Sequence, residues 1–205
     1  MVSVQMASDK PTEPPHDMEV RISFVKDAGS PSRIFLAATD MIQALEEMDR
    51  VLIRSISSQI KPVMMLEDVE VGSLKIILKN VLTQADDEAL KSLDWKPLVG
   101  QYLVKAKYLI LKWADDGNPS KSLPDLRREI QSLAVKTDVR RLPDYAPVDP
   151  TALMDAVQKV QLSKQKLIKG DGIFYNGDGT GEAYELDMGV HIDSDSILDI
   201  ATKLT

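Results

Sequence analysis

Asn176, Asp178 and Thr180 place side-chain oxygens on alternate residues, Gly181 follows, and Asp187 stands eleven residues after Asn176. A calcium loop uses oxygens at its first, third and fifth positions, a glycine at the sixth and a bidentate Glu at the twelfth. Here Asn stands at the first position and Asp at the twelfth, and the flanks alternate like strands rather than helices. The pairs Asn176-Gly177 and Asp178-Gly179 therefore read as a hairpin turn in which glycine supplies positive φ. The same stretch is no phosphate loop. Glu182 and Ala183 stand where such a loop has its lysine and hydroxyl residue.

Nucleophilic and metal chemistry find little material. The chain has no cysteine and two histidines, His16 and His191, which excludes thiol nucleophiles, disulfides and thiolate metal sites. No serine sits in a nucleophile elbow for His191 to serve, so it reads as a strand-edge residue. Acidic clusters occur at Glu46-Glu47, Glu67-Asp68-Glu70, Asp86-Asp87-Glu88 and Asp115-Asp116. Glu67, Asp68 and Glu70 precede a strand carrying Lys75 and Lys79, a distant imitation of a magnesium-dependent hydrolase or nuclease. The plainer reading is a charged hairpin edge that resists aggregation. No cofactor and no metal are expected.

The segment Trp95–Trp113 is the most informative surface in the sequence. It carries Lys96, Lys105, Lys107 and Lys112 and no acid, in an acidic chain. Trp95, Tyr102, Tyr108 and Trp113 punctuate its apolar stripe. It can dock a partner or lie on an anionic membrane, with Trp95, Tyr102, Lys105, Lys107, Tyr108, Lys112 and Trp113 in contact. It can equally be a core helix with a basic outer face. Leu103 and Leu111 widen the stripe and point to burial on more than one side.

The elements that position these residues follow from periodicity. Residues 1–17 hold Pro11, Pro14 and Pro15 and read as a disordered lead-in. Met18–Val25 alternates as a half-buried strand, and Arg33–Leu36 reads as a short second strand after the turn Asp27–Pro31. Thr39 or Asp40 caps a helix that runs to Ile60 on Met41, Leu45, Met48, Leu52, Ile56 and Ile60, and Pro62 closes it. Val63–Val71 and Ser73–Leu82 form a hairpin or bulged turn around Gly72. Helices follow at Trp95–Trp113, Leu123–Val135 and Ala152–Ile168. A proline-rich linker, residues 138–150, separates the core domain, residues 18–137, from residues 151–205. In that last part Gly172–Asn176 and Glu182–Asp187 form a hairpin and Ser194–Leu204 a closing helix.

Composition agrees with a globular chain. Of 205 residues, 43% are hydrophobic and only 5% aromatic, so the core must be aliphatic. A net charge of −7 repels phosphate backbones, and nucleic acid is not favoured as a partner. A spanning helix needs about 20 mostly apolar residues, and lysines interrupt the best candidate, Leu98–Trp113. No secretory signal is visible near the start. A cytoplasmic location is expected.

The order of elements over Met18–Leu82, with Ala44-Leu45 on the helix and Val71-Gly72-Ser73-Leu74-Lys75-Ile76 entering a strand, resembles the N-terminal domain of a group of uncharacterised bacterial proteins. Members often carry a membrane hairpin next and are suspected of roles in phage defence. Here the lysine-bearing helix stands in the place of that hairpin. The resemblance supplies no catalytic residues.

The sequence thus predicts an α+β fold: a small antiparallel sheet packed by a long helix, then a helical segment and a small helix–hairpin–helix appendage. It predicts a non-enzymatic module that self-associates or binds a protein partner, in a bacterial defence setting. A metal-dependent hydrolase on the acidic edge and a peripheral membrane protein are the alternatives.

Overall fold

The computed structural model describes residues 17–70, 74–84, 94–115, 122–176 and 189–193. Alternation builds the first strand. In β1 (Asp17–Ser23), Met18, Val20 and Ile22 are fully buried while Arg21 faces water. In α1 (Ser32–Arg54), Ile34, Ala37, Ala38, Met41, Ala44, Leu45, Met48 and Leu52 recur at helical spacing and are buried.

The strand expected at Arg33–Leu36 is therefore the first turn of this helix. Ile34, Ala37 and Ala38 extend the apolar stripe backward from Met41, and Thr39 and Asp40 lie inside the helix rather than at its cap. At the other end α1 stops at Arg54, before the expected Ile60. The Ser55 hydroxyl donates to Leu52 O at 2.6 Å and its backbone N–H turns back to the same last turn. Pro62 lies within the next strand.

β2 (Ile60–Glu70) and β3 (Leu74–Gln84) form the expected hairpin, in register from Ile60↔Gln84 to Glu70↔Lys75. The register shifts between Leu66 and Asp68, so the described bulge lies there; Gly72 is outside the described residues. Pro62 is tolerated because β2 is an edge strand and its nitrogen can face away from the ladder.

Among the described residues three helices follow: α2 (Trp95–Asp115), α3 (Leu123–Lys136) and, after a 3-10 turn at Val139–Arg141, α4 (Pro150–Lys164). Asp149 caps α4 by accepting from Thr151 N at 2.9 Å. The α4 helix packs along α1, where Ser163 Oγ donates to Ala37 O at 2.6 Å. Alanines on both helices (Ala37, Ala44 and Ala156, all fully buried) allow the close approach.

β4 (Gly172–Asn176) and β5 (Gly189–Asp193) complete one antiparallel sheet in the order β2-β3-β1-β4-β5. The fold is α+β, as the periodicities imply. The part beyond the prolines, however, joins the first sheet instead of forming an appendage: Ser23 pairs with Gly172 and Glu19 with Asn176. Residues 138–150 are not a free linker either. Val139, Leu142 and Val148 are buried, and Ala146 N donates to Ser55 O at 2.7 Å. The partner strand of β4 is Gly189–Asp193; the expected partner Glu182–Asp187, the glycine-rich turn and the closing helix Ser194–Leu204 lie outside the described residues, as does the lead-in over 1–16.

The buried positions of the sheet fall on one face, where Met18, Val20, Ile22, Ile76, Leu78, Ile173 and Tyr175 meet the helices. Arg21 lies on the other face and sits over the Phe174 ring, 4.8 Å from its centroid.

Candidate functional site

Helix α2 turns its chemistry inward. Trp95, Tyr102, Lys107 and Trp113 are buried, Lys105 and Tyr108 are half-buried, and Lys112 alone of the seven expected contact residues is exposed. Lys107 has no exposed surface. Its Nζ donates to Asp49 Oδ1 on α1 at 2.7 Å. Burial drives the Lys107 ammonium below its ordinary pKa, while the charge and hydrogen bond of Asp49 oppose that shift. Burial also raises the Tyr102 phenol, near Tyr145 and Ser55, and the Tyr175 phenol, which is raised further by Asp49. Tyr175 donates to Val104 O at 3.4 Å.

This is the interior of a helix–sheet sandwich. The partner- or membrane-facing role expected for Trp95, Tyr102, Lys107 and Trp113 finds no surface here. The wide apolar stripe was the correct signal for burial. A lysine can sit on such a stripe because its long stem packs as hydrocarbon and its head finds a buried carboxylate.

Near this pair, a cleft of about 190 Å³ opens between α1 and β2, lined by Glu46, Asp49, Arg50, Pro62, Val63 and Met64. Arg50 bridges to Glu46 and Glu47, and Lys159 reaches Glu47 at 3.5 Å, so the charges at its rim answer one another. Among the described residues no group of three or more His, Asp or Glu could hold a metal ion. The side chains of Glu67, Asp68 and Glu70 lie outside that set.

A second buried pair lies at the opposite character of site, under the surface. Arg33, in the first turn of α1, meets Asp171, which precedes β4. The contact is two-pronged: Nε to Oδ2 at 2.9 Å and Nη2 to Oδ1 at 3.1 Å. Two further guanidinium N–H groups donate to Ser30 O at 3.0 Å and Val25 O at 3.1 Å. Asp171 also accepts from Val25 N at 2.9 Å and Ile168 N at 3.1 Å. Burial alone would raise the Asp171 carboxyl. The bonds from Arg33, Val25 and Ile168 outweigh it and hold the carboxyl below the usual carboxylate range.

This clasp locks the β1–α1 loop to the α4–β4 loop. Gly29 and Gly170 supply the positive φ that the two turns require, +64° and +94°. The loops touch so closely that a Cβ on Gly170 would lie 2.7 Å from Val25 Cγ2.

On the outside of the clasp the molecule exposes apolar side chains. Phe24 and Val25 leave the end of β1, and Phe35 and Leu36 stand on the first turn of α1. Phe35 is 65% exposed and Leu36 50%. Leu162, next to Ser163 at the α1–α4 contact, is exposed as well. Two of the chain's three phenylalanines thus face water at one end of the fold. Scattered exposed apolar residues are ordinary; here one aromatic ring lies on the β1–α1 loop and the other on the first turn of α1, either side of the Arg33 clasp.

Sequence reasoning missed this end. It had one available signal, Arg33 directly before the apolar run Ile34-Phe35-Leu36, which a strand reading would have left facing solvent. No protein-family model matches the chain, and no curated protein and no solved structure matches it. Among the described residues no helix is long and apolar enough to cross a membrane.

Proposed function

We propose that the protein is a non-enzymatic docking module that acts inside the cell by presenting the clasped end, Phe24, Val25, Phe35 and Leu36, to another surface. One observation carries the reading: Phe24, on the β1–α1 loop, and Phe35, on the first turn of α1, are exposed beside a buried Arg33–Asp171 pair that ties these segments to the α4–β4 loop. Rigid loops bind well because little conformational entropy remains to be lost on contact. The absence of cysteine fits a reducing compartment. A place in bacterial defence rests on the resemblance over Met18–Leu82 alone, and the helical first turn at Arg33–Leu36 departs from the element order behind that resemblance.

The test compares the wild type with Phe24→Ser/Phe35→Ser in gel filtration of extracts from cells that make them. The wild type is expected in a larger or membrane-associated pool, and the variant at its own 22.7 kDa. Identical elution of both at that mass would overturn the reading. So would turnover of a substrate by the purified chain alone.

A further inference from the structure

Basic residues flank the clasp in the chain. Lys26 follows Val25 directly, and Lys164, Lys166 and Lys169 lie on the stretch that Ser163 ties to Ala37 and Asp171 ties to Val25. Lys26 and Lys169 are exposed, and Lys164 and Lys166 are half-buried. Among the described residues the acids nearby are four. Asp171 is neutralised by Arg33, Asp27 is exposed in the same turn, Asp40 lies one turn further into α1, and Asp193 holds the ladder position beside Gly172. In a chain of net charge −7, four lysines therefore lie on the two segments that the clasp joins, Lys26 beside Val25 and Lys164, Lys166 and Lys169 ahead of Asp171.

Resting on the docking reading above, we propose that this end of the molecule docks on an anionic lipid bilayer. Phe24 and Phe35 enter the boundary between headgroups and acyl chains, and Lys26, Lys164, Lys166 and Lys169 lie among the lipid phosphates. The shape favours a bilayer over a folded partner, because the apolar side chains protrude instead of lining a groove, Phe35 most of all. A soft, flat interface accepts protruding aromatic side chains without a matching cavity. Charge sets the orientation. The lysines are drawn to the surface within about 10 Å at 0.1 M salt, while the acidic remainder of the protein is pushed away. The clasp keeps the loops ready, so docking needs no refolding.

The experiment uses the purified full chain and sedimenting vesicles of two compositions, phosphatidylcholine alone and phosphatidylcholine with phosphatidylserine. The protein is expected to pellet only with the phosphatidylserine vesicles, and less as salt is raised. Lys164→Glu/Lys166→Glu/Lys169→Glu, checked for an unchanged circular dichroism spectrum, should lower partitioning by about a hundredfold or more. Phe24→Ser/Phe35→Ser should lower it by about tenfold or more. Failure of the wild type to pellet, or equal pelleting of the lysine variant, overturns the proposal. If vesicles do not bind but a Phe24- and Phe35-dependent assembly persists in membrane-cleared extract, the partner is a protein and the docking reading stands. If neither is seen, both fall.

Discussion

Asp171 and Asp49 are both buried carboxylates facing a basic side chain, yet their surroundings differ. Asp171 meets a planar guanidinium through two bonds and takes two backbone N–H groups besides, at a boundary between loops. Asp49 meets the single ammonium of Lys107 deep between α1 and α2, with the raised phenol of Tyr175 close by. The first pair organises a surface; the second fills an interior. A buried charge by itself therefore says little about function. What matters is which elements it joins and what those elements then expose.

The comparison can be broken most forcefully at Asp171. Asp171→Ala would strand Arg33 without its carboxylate, at a cost of about 3–5 kcal/mol in denaturant unfolding. A loss below 1 kcal/mol would mean that water replaces the clasp. Lys107→Met should cost a similar amount, about 3–5 kcal/mol, because it takes the ammonium away from the buried Asp49 carboxylate. Adding Asp49→Leu to it should recover most of that loss, since an apolar pair of similar volume suits the interior. The same rescue is not expected at the clasp, where removal of both charges would leave the Val25 and Ile168 amides without an acceptor. A double mutant as unstable as Lys107→Met alone would contradict this contrast.

A smaller effect is expected at Gly170→Ala. The added Cβ meets Val25 Cγ2 at a φ that favours glycine, and stability should fall by about 1–3 kcal/mol. The two pairs should also separate by pH. The folded Asp171 carboxyl lies below its unfolded value, so its contribution is present above about pH 4 and is lost as pH falls below that toward the folded value. Lys107 lies below its unfolded value too, so the unfolded chain holds more protons in that window. Stability should rise there with pH toward about 10.5, and Lys107→Met should remove the rise. The smallest effect belongs to Phe24→Ser/Phe35→Ser. Both rings already face water, and unfolding should shift by about 0.5 kcal/mol or less.

Much of the fold was legible in the sequence because it rests on local periodicity. Alternation marked β1, helical stripes marked the long helices, and the hairpin of β2 and β3 followed from adjacent strand patterns. The errors arose where local signals compete or where pairing is remote. Arg33–Leu36 alternates weakly enough to pass as a strand, and only the stripe running back from Met41 makes it helical. β4 was found, but its pairing with β1, some 150 residues earlier, is written in no local pattern. The candidate site was hidden for the same reason. Arg33 and Asp171 are 138 residues apart, and each looks like a solvated charge until the sheet brings them together.

The central claim is that the Arg33–Asp171 pair holds the exposed end rigid. Hydrogen exchange at the Val25 and Ile168 amides, both of which donate to Asp171, tests it most directly. Both amides should exchange slowly in the wild type, near the rate set by opening of the sheet, and about a hundredfold faster in Asp171→Asn. Exchange at the rate of an open chain in the wild type would contradict the account, because the end would then be a loose pair of loops and not a prepared surface.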